Sequence, residues 1–178
     1  MQATSYVWWC IAYIPTPDFD IHSDFQMLLT ACIFHSCIDI VCASLKEAAL
    51  NGASMTNTFG YICNCFIPLV AHIADLPEEQ LIAYVAKNAS PITTATLAQF
   101  GDSYLHEPHH GKDTLAKIKA LCDAIDPWDI ATFQKKAKAV NLLGVHLPYW
   151  QDWQFANPIY FLVSELLHFG HNSFLTIR

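Results

Sequence analysis

Carboxylates, imidazoles and thiols are where this chain could do chemistry, and their spacing sorts them. Asp75 closes the apolar stretch Leu69-Val-Ala-His-Ile-Ala74 at a strand-to-helix junction, where a carboxylate can hold a divalent cation. It also stands three places before Glu78, so the plainer role of helix N-cap competes for it. Glu165, His168 and His171 follow an i, i+3, i+6 pattern that would share one side of a helix. One Glu-x-x-His is half of a carboxylate-bridged dinuclear site, and the sequence has no second copy. His106, His109 and His110 sit beside Glu107 in a Pro-containing loop, either as a metal-binding cluster or as exposed histidines. Cys32, Cys37 and Cys42 lie five residues apart, a step of about 140° around a helix, so they cannot share a face. Cys63-Asn-Cys65 has no partner pair at zinc-knuckle spacing, which leaves buried apolar thiols as the simpler reading. There is no nucleophile elbow, P-loop, Gly-rich dinucleotide turn or H-E-x-x-H.

The elements that must position these groups are mostly helical. Tyr6–Ile14, rich in aromatic and β-branched residues and ended by Pro15-Thr-Pro17, reads as a buried strand. Asp24 to Leu50 has no Gly or Pro, shows apolar residues at helical spacing and stops at Asn51-Gly52, which predicts a long first helix. Pro68 breaks the apolar run Phe59–Ala74, leaving a buried strand over Leu69–Ala74. A short helix is expected over Glu78–Lys87, a loop over Asn88–Lys112, and helices over Asp113–Ile125 and Asp129–Asn141. Gly144–Pro158 reads as an aromatic loop and Ile159–His171 as a helix. The expectation is a single unit over residues 1–178, mixed α/β and helix-dominated, with no linker or repeat.

Composition narrows the function classes. The chain has 178 residues, 53% of them hydrophobic, which excludes a disordered chain. Its net charge of −7 argues against a free-standing nucleic-acid binder. The longest uninterrupted apolar run, Tyr6–Ile14, is far short of the roughly 20 residues of a membrane helix, and no basic segment precedes it as in a signal peptide. Seven cysteines, an odd number, fit a reducing intracellular compartment. Eight of nine basic residues are Lys, and Arg178 is the one Arg.

Six segments, read in order, resemble the Plavaka-type transposases of fungal cut-and-paste DNA elements, relatives of the CACTA group. They are Tyr13-Ile-Pro-Thr-Pro-Asp18; Phe34-His35 with Asp39-Ile40; Pro68-Leu-Val-Ala-His-Ile-Ala-Asp-Leu-Pro-Glu78; Ser90-Pro91 with Phe100-Gly-Asp102; Gly144-Val-His-Leu-Pro-Tyr-Trp-Gln-Asp-Trp153; and Pro158-Ile-Tyr-Phe-Leu-Val-Ser-Glu-Leu-Leu-His168. The resemblance implies an RNase H-like core in which three acidic residues hold two Mg²⁺ ions for DNA strand cleavage and transfer. It places the second acid on Asp75 and the third on Glu165, with His168 beside it. It also implies nuclear DNA as partner, with no membrane and no small-molecule substrate.

Departures from the family pattern shape the functional expectation. The family's first acid lies upstream of the matching region, so an incomplete core lacking its N-terminal strands is expected. Ser90-Pro-Ile-Thr93 stands where many relatives carry a Cys-Pro-x-Cys knuckle. Cys32, Cys63, His109 and Gln151 stand where the family tends to show Arg, as decay of CpG-containing Arg codons would leave them. The expected function is therefore an inactive remnant of a transposase catalytic domain, binding DNA weakly at best and no functional metal. Two other readings remain: an active metal-dependent nuclease that recruits Asp102 or Asp152 as replacement acid, and a non-catalytic, host-retained module that binds protein through Tyr149, Trp150, Trp153 and Phe155. The last cluster is more commonly core than a stacking platform.

Overall fold

A 29-residue helix, α1 (Ser23–Asn51), runs about 43 Å along one side of the protein. The computed structural model describes residues 10–164. The buried positions of α1 are Leu28, Ala31, His35, Cys42, Lys46, Ala48 and Ala49; all but Ala48 are spaced by steps of three, four or seven that form a narrow seam on one face. Gly52 ends the helix with a φ of +77°, its N–H on the Ala48 carbonyl. The positive φ demands glycine, while a Cβ there would meet the movable side-chain amide of the exposed Asn64.

The chain then forms an antiparallel hairpin, β1 (Ala53–Thr56) and β2 (Ile62–Cys65). Asn57 closes its turn by accepting the N–H groups of Phe59 and Tyr61 on one side-chain oxygen. This hairpin was not anticipated, because Phe59–Cys65, apolar apart from Gly60 and Asn64, shows no strict alternation. Phe59, Tyr61 and Ile62 are in fact exposed. Strand β3 (His72–Ala74) follows, shorter than the expected Leu69–Ala74 and buried at Ala74 only. Helix α2 (Leu76–Ala83) is capped by Asp75, whose Oδ1 accepts the Glu78 N–H at 2.9 Å.

After a loop with one 3-10 turn (Leu97–Gln99) come α3 (Gly111–Ala124) and α4 (Ile130–Ala139), packed against each other. Asp129 caps α4 through the Thr132 N–H. Helix α5 (Pro158–Phe161) is a single turn leading into β4 (Leu162–Ser164). β4 lies parallel to β3, with His72 opposite Leu162 and Ala74 opposite Ser164. The helix expected over Ile159–His171 is present at residues 159–161, gives way to strand over Leu162–Ser164, and beyond that lies outside the described residues. Leu162 and Phe161 are buried, and pairing with β3 outweighs the local helical spacing. The expected strand Tyr6–Ile14 is also corrected where it is described: residues 10–14 have no regular structure, and Ile11 and Tyr13 are exposed. Without a ladder partner, β propensity alone does not make a strand. Helix and sheet are mixed and helix dominates, as expected.

Two groups of buried side chains form the interior. Cys42 and Ala49 of α1 pack with Ile82, Val85, Tyr149, Trp150, Trp153, Phe161 and Leu162. Leu28 and Ala31 pack with Tyr84, Ile118, Ala137, Leu142 and Val145. His35, 1% exposed, sits on the α1 seam between the two groups. Its Nε2–H donates to the Leu81 carbonyl at 3.1 Å, and its Nδ1 accepts the Tyr149 N–H at 3.3 Å. Trp150 Nε1 donates to the Ile82 carbonyl at 2.7 Å, and Trp153 Nε1 to Ile67 at 3.2 Å. Over Phe25–Asn51, α1 is long and apolar enough to cross a membrane by length and composition. In this fold its buried His35 and Lys46 bond to Leu81, Tyr149 and Asp152, and 22% of its most apolar stretch is buried.

Two predictions follow from this interior. Burial holds His35 down to a pKa of about 4, assisted by the charge of His72, against the opposing pull of the Leu81 carbonyl. An unfolded histidine titrates near 6.5, so the native state binds fewer protons between these values. The stability from neutral His35 is complete above pH 6.5 and is lost as pH falls toward 4, by about 3 kcal/mol in all. Thermal melts from pH 7.5 to 4 should show this decline, and it should flatten in His35→Gln. Tyr84 provides the second. Its hydroxyl is buried without a well-formed hydrogen bond, the Leu147 backbone lying near, and burial first, then Cys32, pushes its pKa well up. Tyr84→Phe should raise stability by about 1 kcal/mol, read as a higher urea midpoint at unchanged m.

Candidate site at the carboxyl end of the parallel strands

Asp75 is the residue immediately after β3, and the Ala74–Ser164 pairing sets the end of β4 beside it. Its carboxylate is half-buried. Oδ1 serves as the cap of α2, while Oδ2 accepts no hydrogen bond among the described residues. Capping and metal ligation therefore need not exclude each other, since each takes one oxygen. Glu165 follows Ser164 directly in sequence, but both Glu165 and His168 lie outside the described residues.

Two further carboxylates lie close in sequence to Asp75: Glu78, read from the sequence as a capping partner, and Glu79, which did not stand out. Glu79, one helical turn on, is 3% exposed and accepts the Ser164 hydroxyl at 2.6 Å, tying α2 to the end of β4. Glu78 approaches His72 Nε2 at 3.6 Å. His72 Nδ1 meets the Tyr149 hydroxyl at 2.9 Å. Burial first, then the nearby Cys42 and Glu78, raise the Tyr149 pKa, so its hydroxyl keeps its proton beside Nδ1. The i, i+4 relation of Asp75 and Glu79 was the available signal, but a Glu in a first helical turn looks like ordinary dipole complementation.

This arrangement offers a cation one free carboxylate oxygen at the head of a helix. Among the described residues, no three His, Cys, Asp or Glu side chains are placed to hold a metal ion together. Remaining donors would have to come from residues such as Glu165. The suggested replacement acids are engaged elsewhere. Asp152 and Asp39 both bind the buried ammonium of Lys46. Burial disfavours that charge, yet the two carboxylates outweigh it and raise the Lys46 pKa. Asp102 pairs with His106 at 3.0 Å.

The remaining candidates are structural. Tyr149, Trp150 and Trp153 are core residues, while Phe155 alone of that group is exposed, at 82%. No continuous aromatic platform results. Cys42 is buried and Cys32 partly so, and burial raises both thiol pKa values, which keeps them protonated.

No curated protein sequence and no solved structure matches the chain. The family model described as Plavaka transposase matches it over residues 1–176. That match covers nearly the whole chain, in agreement with the six ordered segments that resemble the family, and the chain belongs to the Plavaka transposase family.

Proposed function

We propose that this chain is a remnant of a DNA transposase catalytic domain that no longer cleaves DNA by itself. The observation that carries the reading is Asp75 at the carboxyl end of a parallel strand with one oxygen free, in a chain of transposase family. In that reading the core is RNase H-like. Asp75 and Glu165 are the residues that would hold Mg²⁺, whose role there is to activate the attacking oxygen and stabilise the leaving one. Asp75 binds through Oδ2 while Oδ1 keeps α2 in place. Glu79 fixes the end of β4 through Ser164 rather than binding metal. The partner is DNA in the nucleus.

Inactivity rests on where the other acids are. A two-metal site needs a further carboxylate, and Asp152 is tied to Lys46 and Asp102 to His106. The protein should leave supercoiled plasmid intact in Mg²⁺ or Mn²⁺. Metal-dependent nicking that vanishes in Asp75→Ala would establish an active nuclease instead. The same variant should lose about 1 kcal/mol of stability through its cap. Asp75→Asn should restore most of it, because an amide oxygen caps nearly as well.

Affinity for DNA should be weak. The net charge is −7 and Arg, the side chain best shaped for phosphate and guanine, is nearly absent. Fluorescence anisotropy with random duplex at physiological salt should give micromolar or weaker dissociation constants. Sub-micromolar binding with a steep salt slope would be incompatible with this expectation.

A further inference from the structure

We propose that the cleft between the Ser90–Thr94 loop and α3 is a phosphate-binding pocket that seats a backbone phosphodiester of DNA. The pocket itself is argued from geometry; its assignment to DNA rests on the functional reading above. The cleft has a volume of about 50 Å³ and its polar lining includes Ser90, Thr93, Thr94, His109 and Lys117. A single water needs roughly 10–15 Å³ on this measure, so the space is that of a few waters or one tetrahedral oxyanion.

Its lining is rich in donors with nothing to donate to. Ser90 Oγ accepts the N–H groups of Ile92 and Thr93, and Thr93 Oγ1 accepts that of Ala95. A hydroxyl that accepts from backbone still has its own proton to place. Among the described residues, the His109 ring and the Lys117 ammonium have neither a hydrogen bond nor an ion pair. The loop is held open by backbone: Thr94 N–H bonds to Glu107 and His109 N–H to Ile92, with a bridge from Thr93 to Pro108. The hydroxyls, the imidazole and the ammonium therefore converge from two separate segments without folding onto one another.

Charge around the cleft favours an anion although the whole chain is acidic. Six of the eight lysines fall between Lys112 and Lys138, on α3 and α4. The same stretch holds four acids: Asp123 pairs with Lys119, Asp126 and Asp129 accept backbone N–H groups, and Asp113, one turn before Lys117, acts on His109, which leaves six lysines against four carboxylates. A phosphate at Lys117 would thus meet a locally basic helix pair, with Lys as a point charge and hydroxyls supplying direction.

The test uses the ¹⁵N-labelled full chain titrated with inorganic phosphate, chloride being exchanged to hold ionic strength constant. Amide signals of Ser90, Thr93, Thr94 and His109 should shift saturably. Lys117→Ala should weaken binding by about fivefold or more, as expected for loss of a charged donor. Lys135→Ala, an exposed lysine outside the cleft, should leave binding unchanged, and matching melting curves would show that both variants fold. A short DNA duplex should shift the same amides and be displaced by phosphate. Absence of saturable shifts, or equal binding by Lys117→Ala, would overturn the pocket. Phosphate binding with duplex shifts confined to other residues would overturn the DNA assignment and point to free phosphate or a phosphomonoester. Duplex binding without phosphate binding would sink the pocket and leave the DNA-handling reading standing.

Discussion

An eight-residue helix has too few internal hydrogen bonds to persist alone, and α2 ends inside the core, beyond the reach of water. Its last carbonyls must find donors, or each costs as much as an unmade hydrogen bond. Two side chains from distant parts of the sequence meet that need: His35 of α1 at Leu81 and Trp150 of the aromatic loop at Ile82. Tyr84, in the left-handed region with φ of +71°, then turns the chain so that Val85 can bridge to Leu142. Because α2 begins at Asp75, the candidate metal ligand is held in place partly by what happens at the other end of its helix.

The aromatic loop is the hub of this arrangement. Each of its large rings is buried for its area, and each polar tip holds a different segment: Tyr149 the start of β3, Trp150 the end of α2, Trp153 the chain before Pro68. Lys46 adds an ionic tie from α1 to Asp152 in the same loop. The cluster that a partner protein might have used is thereby consumed in the interior. Among the described residues, Asp75 Oδ2 and the cleft beside Lys117 are places where donors or acceptors remain unspent.

The sequence carried the long-range outline of this fold wherever a helix was both periodic and punctuated. Helix α1 was legible from its Gly- and Pro-free run and its Asn51-Gly52 stop, and α3 and α4 from the Asp126-Pro-Trp-Asp129 break. The cap at Asp75 was legible because it is a local hydrogen bond. What failed depended on partners far along the chain. Residues 162–164 look helical by spacing but pair with β3, and residues 10–14 look like a strand but have no neighbour. Glu79 and His35 could not be singled out, since their roles come from Ser164, Leu81 and Tyr149, which no spacing rule connects to them.

The parallel pair β3–β4 joins residues 90 positions apart, such as Ala74 and Ser164. Three rungs of ladder offer little to offset the entropy of closing so large a loop, so they cannot form first. The helices and the aromatic loop between them must already be organised, shortening the effective path between the two strand ends. The neighbourhood of Asp75 is therefore the last part of the molecule to be completed during folding and, by the same reasoning, among the first to open.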